Sequence, residues 1–264
     1  MEKTLRKNTA LFIGIIIFIL GAAAGILTYG SATSESASNY AKMLYALSLI
    51  TATLGLITIT SGVRSISAEK SIKKPDTKTL AQAALCAALC YIGFTFFKID
   101  FSVGTEKTAI HFGNIFCVLA ALFIGGFWGG MAGAVGMTIA DLTTAYVTSA
   151  PKTFLLKLFI GLIVGFVAHK IGKLSADHSK KYTTLITISA CTAGMLFNVI
   201  ADPLVGYFYK TYLLGVPQDI TKVLAKIGAA TTAVNAVTTV FIASILYLAL
   251  RPALKKADLF VSVQ

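Results

Sequence analysis

Charge is scarce in this chain, and negative charge is scarcer still. Only 13% of the 264 residues are Asp, Glu, Lys or Arg, and 11 residues are acidic, whereas soluble domains carry roughly a quarter charged residues. Such a surface is poorly suited to water. Cysteine is also sparse: Cys86, Cys90, Cys117 and Cys191 all sit in apolar runs, without CxxC or metal-ligand spacing. That pattern offers neither a disulfide framework nor a metal centre, and small apolar packing residues are expected instead. Catalytic signatures are missing too. There is no HExxH, no GxSxG, no Walker A and no carboxylate pair beside a nucleophile, so neither enzyme activity nor a cofactor is expected. Lys173 follows a glycine, but the rest of a phosphate loop is absent.

What the chain has in quantity is apolar sequence, 56% of residues, with a mean hydropathy of +0.79. About 20 apolar residues of helix cross a hydrocarbon core roughly 30 Å thick, and eight such runs fit: 10–30, 40–62, 80–97, 110–124, 127–147, 154–169, 183–209 and 223–250. The expected fold class is all-α, a polytopic membrane protein in contact with membrane lipid. A Ser-rich link, 31–39, makes the first two runs a candidate hairpin, residues 1–63. A basic linker follows at 64–78, with Lys70, Lys73, Lys74 and Pro75, and leads into a six-helix part at 79–264. The start of the chain, with its basic residues, apolar run and Ala22–Ala24, also fits a secretory signal peptide. Removing it would leave the orientation of the later helices unchanged.

A net charge of +12 would point to nucleic acid in a soluble protein. Here the basic residues punctuate apolar runs, as orientation signals do, and no nucleic-acid partner is expected. With the N-terminus inside, 15 of the 23 Lys and Arg residues fall in inner segments, among them Arg6, Lys74, Lys173, Lys181 and Arg251. The remaining 8, including Lys98, Lys107, Lys152, Lys157 and Lys222, fall in outer loops or outer helix ends. Both termini are therefore expected in the cytoplasm.

Small residues four apart mark close helix packing in lipid. Gly126 with Gly130, Gly129 with Gly133, and Ala132 with Gly136 form such pairs, as do Ala83 with Ala87 and Ala84 with Ala88. The alanine stripes suit internal packing or the docking of another subunit. Ionisable and amide groups at membrane depth face a cavity, a partner or a pathway. Asp141 and Lys157 are neighbours in depth, as a buried ion pair or as ligand contacts. Asn198 and Asp202 share a helical face just before Pro203, which can free a backbone carbonyl. Asn235 lies mid-helix among Thr231, Thr232, Thr238 and Thr239 and suits a cross-helix hydrogen bond or a ligand contact. Tyr146, Tyr207, Tyr209 and Tyr212 suit an interfacial aromatic belt. The outer loop 98–110 is long enough to form a lid and runs into His111 and Asn114, three apart on one face.

Three stretches, IHFGN (110–114), LAALFIGGFWGGMAGAVGMTIADL (119–142) and YVTSAPKTFLLKLFIGLIVG (146–165), resemble the substrate-binding S components of energy-coupling factor (ECF) transporters, prokaryotic vitamin importers. The resemblance covers about 79–254. It implies a six-helix S-component-like bundle with both termini inside, and the hairpin 1–63 is additional to it. It further implies a small, water-soluble, vitamin-like substrate held near the outer face beneath the loop joining the first two helices. His111, Asn114, Asp141, Tyr146, Lys157, Asn198, Asp202 and Asn235 map to that region. An AxxxA motif, matched by Ala83 and Ala87, would dock a membrane scaffold subunit carrying a pair of ATPases. A self-sufficient ion-coupled secondary transporter, using Asp141 or Asp202, is the alternative.

Overall fold

The structure, a computed structural model, describes residues 2–33, 39–67, 77–103 and 106–257. Lys70, Lys73, Lys74 and Pro75 of the basic linker, most of the Ser-rich link and the C-terminal tail lie outside the described residues. The elements run in the order α1 (Glu2–Thr33), α2 (Asn39–Ser67), α3 (Thr77–Thr95), β1 (Lys98–Val103), β2 (Glu106–His111), α4 (Gly113–Ile124), α5 (Gly126–Leu142), α6 (Ala150–Gly165), α7 (Lys180–Phe208) and α8 (Gln218–Lys256). The chain is an all-α, multi-pass membrane protein. Among the described residues, five helices are long and apolar enough to cross a bilayer: Leu11–Thr28, Thr77–Thr95, Val147–Ile171, Lys180–Leu213 and Gln218–Lys256.

The element lengths differ from expectation at one place. The segment expected as the loop 98–110 is an antiparallel hairpin, with Lys98 opposite His111 and Val103 opposite Glu106. His111 therefore ends a strand rather than opening a helix. The following helix α4 has only 12 residues, about 18 Å of rise at 1.5 Å per residue. Gly125 then breaks the apolar run at φ 85°, a backbone conformation costly for any residue with a Cβ, and α5 restarts at once.

Contacts divide the chain into two compact units, Met1–Pro75 with Val147–Pro151, and Asp76–Tyr146 with Lys152–Gln264. In the first, α1 and α2 pack backbone against backbone. A Cβ added at Gly14 would lie 2.6 Å from the Ile59 nitrogen, and Gly21 and Gly55 press as closely on Ala52 and Phe18. The outer faces of α1 carry exposed Ile19, Ile26 and Leu27, as lipid-facing helices do.

In the second unit α5 is the hub, and each glycine pair serves a different neighbour. Gly126 and Gly130 meet Gly161 and Gly165 of α6, and a Cβ on Gly130 would come within 2.7 Å of the Leu158 carbonyl. Gly129 and Gly133 abut Ala121 and Cys117 of α4, while Gly136 faces the Ala87 carbonyl of α3. Lipid supplies no hydrophobic drive between helices, so such contact of backbones is the main source of attraction. The same crossing decides the alanine stripes. Ala83 is buried in a cluster with Ala120, Ile124 and Ala132, and Ala87 is occupied by Gly136. This leaves Ala84 and Ala88 as the exposed stripe.

At one end of this unit the Arg251 guanidinium donates to the Leu174 and Ala176 carbonyls at 3.0 and 2.9 Å. Beside it Lys255 pairs with Asp177 and holds that carboxyl below the ordinary carboxylate range. The polar residues singled out from the sequence gather at the opposite end.

Candidate functional site

The hairpin β1–β2 forms one wall of the site because α8 finishes its free edge. The Asn235 side chain accepts from the His111 backbone N–H at 2.9 Å and donates to the Ala109 carbonyl at 3.0 Å. One amide thus satisfies the donor and acceptor that a third strand would otherwise meet. Thr231 and Thr108 add a hydroxyl contact at 3.1 Å. Asn235 thus makes the cross-element hydrogen bonds that its position in α8 allowed, to the hairpin.

On β1, Asp100 accepts from the Tyr146 hydroxyl at 2.7 Å and pairs with Lys98 at 3.2 Å. The Lys98 ammonium lies 4.8 Å from the Tyr146 ring centre and 5.7 Å from that of Phe94, within cation–π range. Phe94 in turn packs edge-on against His111 and Tyr146, with centroids 4.7 and 5.5 Å apart. Tyr146 is buried and belongs to this wall rather than to a belt. Tyr212 is exposed and stacks on Phe208, as a belt residue would, and Tyr207 packs edge-on to the same ring.

Behind the hairpin lie polar groups from four helices. Asn114 of α4 is 1% exposed, Asp141 of α5 and Asn198 of α7 are 2% exposed, and Lys157 of α6 is also buried. Asp141 and Lys157 form no ion pair with each other. Instead Asp141 lies beside Thr153, and Lys157 is within electrostatic reach of Asp202, Lys152 and Asp141. Asp202 is held by Lys152 at 2.8 Å and by the Thr232 hydroxyl at 3.1 Å, so its charge has a partner within the protein. Pro203 sits inside α7 and deprives the Val199 carbonyl of its helical donor. The helix nevertheless continues to a π-turn at Tyr209–Leu213.

Several buried atoms in this region have no protein partner: His111 Nδ1, both amide atoms of Asn114, Thr138 Oγ1, Asp141 Oδ2 and Asn198 Oδ1. Each such group costs about 1–3 kcal/mol when left unpaired, and native interiors contain few of them. A set with donors and acceptors in one region suits a ligand that offers both. Among the described residues no group of three or more His, Cys, Asp or Glu could hold a metal ion.

Sequence reasoning overlooked Thr138, Thr153, Lys152 as the partner of Asp202, and Phe94. The hairpin did carry a signal: Lys-Ile-Asp-Phe-Ser-Val at 98–103 alternates strictly between polar and apolar residues, the period of a half-buried strand.

A membrane-spanning helical bundle with an enclosed, unsatisfied polar set at one end, flanked by an edge-capped hairpin, is the architecture of a membrane protein that holds a small ligand. A family model described as the ECF-type riboflavin transporter, S component, matches residues 74–252, and the chain belongs to that family of transport proteins. Its members are substrate-binding components and not enzymes. No curated protein and no solved structure matched the chain.

Proposed function

We propose that the chain is the riboflavin-capturing subunit of an ECF importer. The family's own description supports a flavin, and the carrying observation within the molecule is the buried, unpartnered polar set. An isoalloxazine offers an imide donor flanked by carbonyl acceptors, and a ribityl chain offers hydroxyls that both donate and accept. Lys157, Asn114 and Thr138 would donate to such a ligand, while Asp141 and Asn198 would accept from it. His111 lies at the hairpin root beside them. Tyr146, Asn235 and Asp202 act one step removed, since their polar atoms hold the hairpin and Lys152.

In this reading the site opens at the outer face of a prokaryotic cell membrane, and both termini are cytoplasmic. The placement of 15 of 23 basic residues on one side supports that orientation. A scaffold subunit with two ATPases supplies the energy. Its docking surface is the exposed Ala84–Ala88 stripe of α3, because Ala83 is engaged internally. The test is titration of the purified chain with riboflavin, followed through quenching of flavin fluorescence, beside thiamine, pyridoxine and a free pyrimidine. Saturable binding of riboflavin alone supports the reading. Saturable binding of another vitamin in its place would reassign the substrate, and uptake by the isolated chain under an ion gradient would refute the subunit role.

A further inference from the structure

The β1–β2 hairpin is two-faced in an unusual sense for a segment outside the helices. One face carries Lys98, Asp100, Ala109 and His111; Ala109 and His111 are buried, and Asp100 and His111 touch Tyr146 and Phe94. The opposite face carries Ile99 and Phe101, which are 63% and 40% exposed, beside half-buried Ile110 and Thr108, the latter held against Thr231 of α8. Water is a poor medium for that face. Its surroundings are apolar as well: Phe97 stacks on Phe112 with planes 8° apart, and Phe96, Phe97 and Phe112 are all exposed. These rings continue the exposed face of α3 through Leu85 and Ile92, which in a membrane-spanning helix faces lipid whenever no scaffold subunit is docked on it.

Depth agrees with this. The Phe112 N–H donates to the Gly93 carbonyl at 3.1 Å, so α4 begins level with a residue inside α3. With only about 18 Å of helical rise, α4 cannot span the hydrocarbon core, and the hairpin root lies within or at the edge of it.

We propose that the hairpin is an interfacial membrane element. Its Ile99 and Phe101 face, together with Phe97 and Phe112, is seated in lipid at the headgroup–acyl boundary, while the polar face covers the buried cluster. Amphipathic segments with aromatic and aliphatic residues on one side settle at that depth. The occupant is lipid because the patch is continuous with the lipid-facing surface of α3. This inference rests on the membrane-spanning fold and does not depend on which ligand is bound.

The experiment places a single tryptophan in the hairpin of the full chain, reconstituted in phosphatidylcholine vesicles. Phe101→Trp and, as a water-facing reference, Lys107→Trp are each made in a Trp128→Phe background. Lipids brominated near the carbonyl end of the acyl chain should quench the residue-101 fluorophore at least about twofold more than the residue-107 fluorophore, with iodide showing the reverse order. Equal iodide quenching at both positions would overturn the proposal. If Trp128→Phe fails to fold, a nitroxide on Phe101→Cys serves the same purpose. Collisions dominated by oxygen rather than by a water-soluble nickel chelate support lipid seating. Shielding from both, as a protein partner or a second copy would produce, overturns it.

Discussion

Replacing Asn235 with leucine would remove two of the hydrogen bonds that tie the hairpin to α8, leaving the Thr108–Thr231 contact, while nearly preserving side-chain volume. The 2.9 and 3.0 Å bonds to the His111 N–H and the Ala109 carbonyl are ordinary in length, and each contributes about 1 kcal/mol net. Their joint loss is then about 2 kcal/mol, or roughly a 30-fold shift towards the detached hairpin. A larger cost does not develop, because the hairpin can swing off and satisfy its freed groups elsewhere. The assay is amide hydrogen exchange followed by mass spectrometry on peptides covering 98–112 in the ligand-free protein. Exchange there should accelerate by roughly 10- to 50-fold, with peptides from α5 unchanged. Asn235→Asp, which keeps an acceptor for His111 but loses the donor to Ala109, should fall between wild type and Asn235→Leu. Unchanged protection at 106–112 in Asn235→Leu would refute the edge-capping role. Equal acceleration throughout the bundle would show that the change unfolds the protein instead.

Lys157→Met should weaken binding of the proposed flavin by roughly 10- to 150-fold, the worth of one charge-assisted hydrogen bond, with the melting temperature in detergent unchanged or raised. Fluorescence titration checks it. Gly161→Leu drives a side chain into the Gly130 backbone and should destabilise the unit by more than the usual 1–3 kcal/mol of overpacking, seen as loss of the folded fraction on size-exclusion chromatography. Ala84→Leu with Ala88→Leu should abolish co-purification of the scaffold subunit while leaving ligand titration intact; the same outcome from Ala83→Leu alone would return the docking role to the inner stripe. Lys152→Met leaves Asp202 with its Thr232 hydrogen bond and the charge of Lys157 and should loosen the α6–α7 end, read as faster exchange around residue 202.

The helical frame was legible because apolar length and glycine spacing are local properties. A four-residue interval places Gly126 and Gly130 on one face wherever the helix lies, and the structure then supplies Gly161 and Gly165 as their partners. The polar end was legible in part. Asp141, Lys157, Asn198 and Asn114 stand out because buried polar groups in lipid are few. Their partners did not stand out, since Lys152 and Asp202 are 50 residues apart and Asn235 and His111 are 124 apart. Nothing in the neighbourhood of Asn235 announces a strand edge. The hairpin itself was hidden by its brevity, although the alternation at 98–103 was present. The alanine stripes show a different limit: two equivalent stripes lie one residue apart on α3, and only the crossing with α5 decides which of them turns outward.

That crossing also bears on how the molecule can change over generations. Three faces of α5 are committed to neighbours at distances that admit no side chain at Gly129, Gly130, Gly133 and Gly136, so almost any replacement there carries a large penalty. The far end of the same helix carries buried polar side chains instead of glycines, Thr138 and Asp141. Helix α5 thus joins an almost immutable anchor to a polar tip. New ligand preferences would arise first at Thr138, at Asp141 and along the hairpin, while the glycine-lined stem persists among descendants that no longer share a substrate.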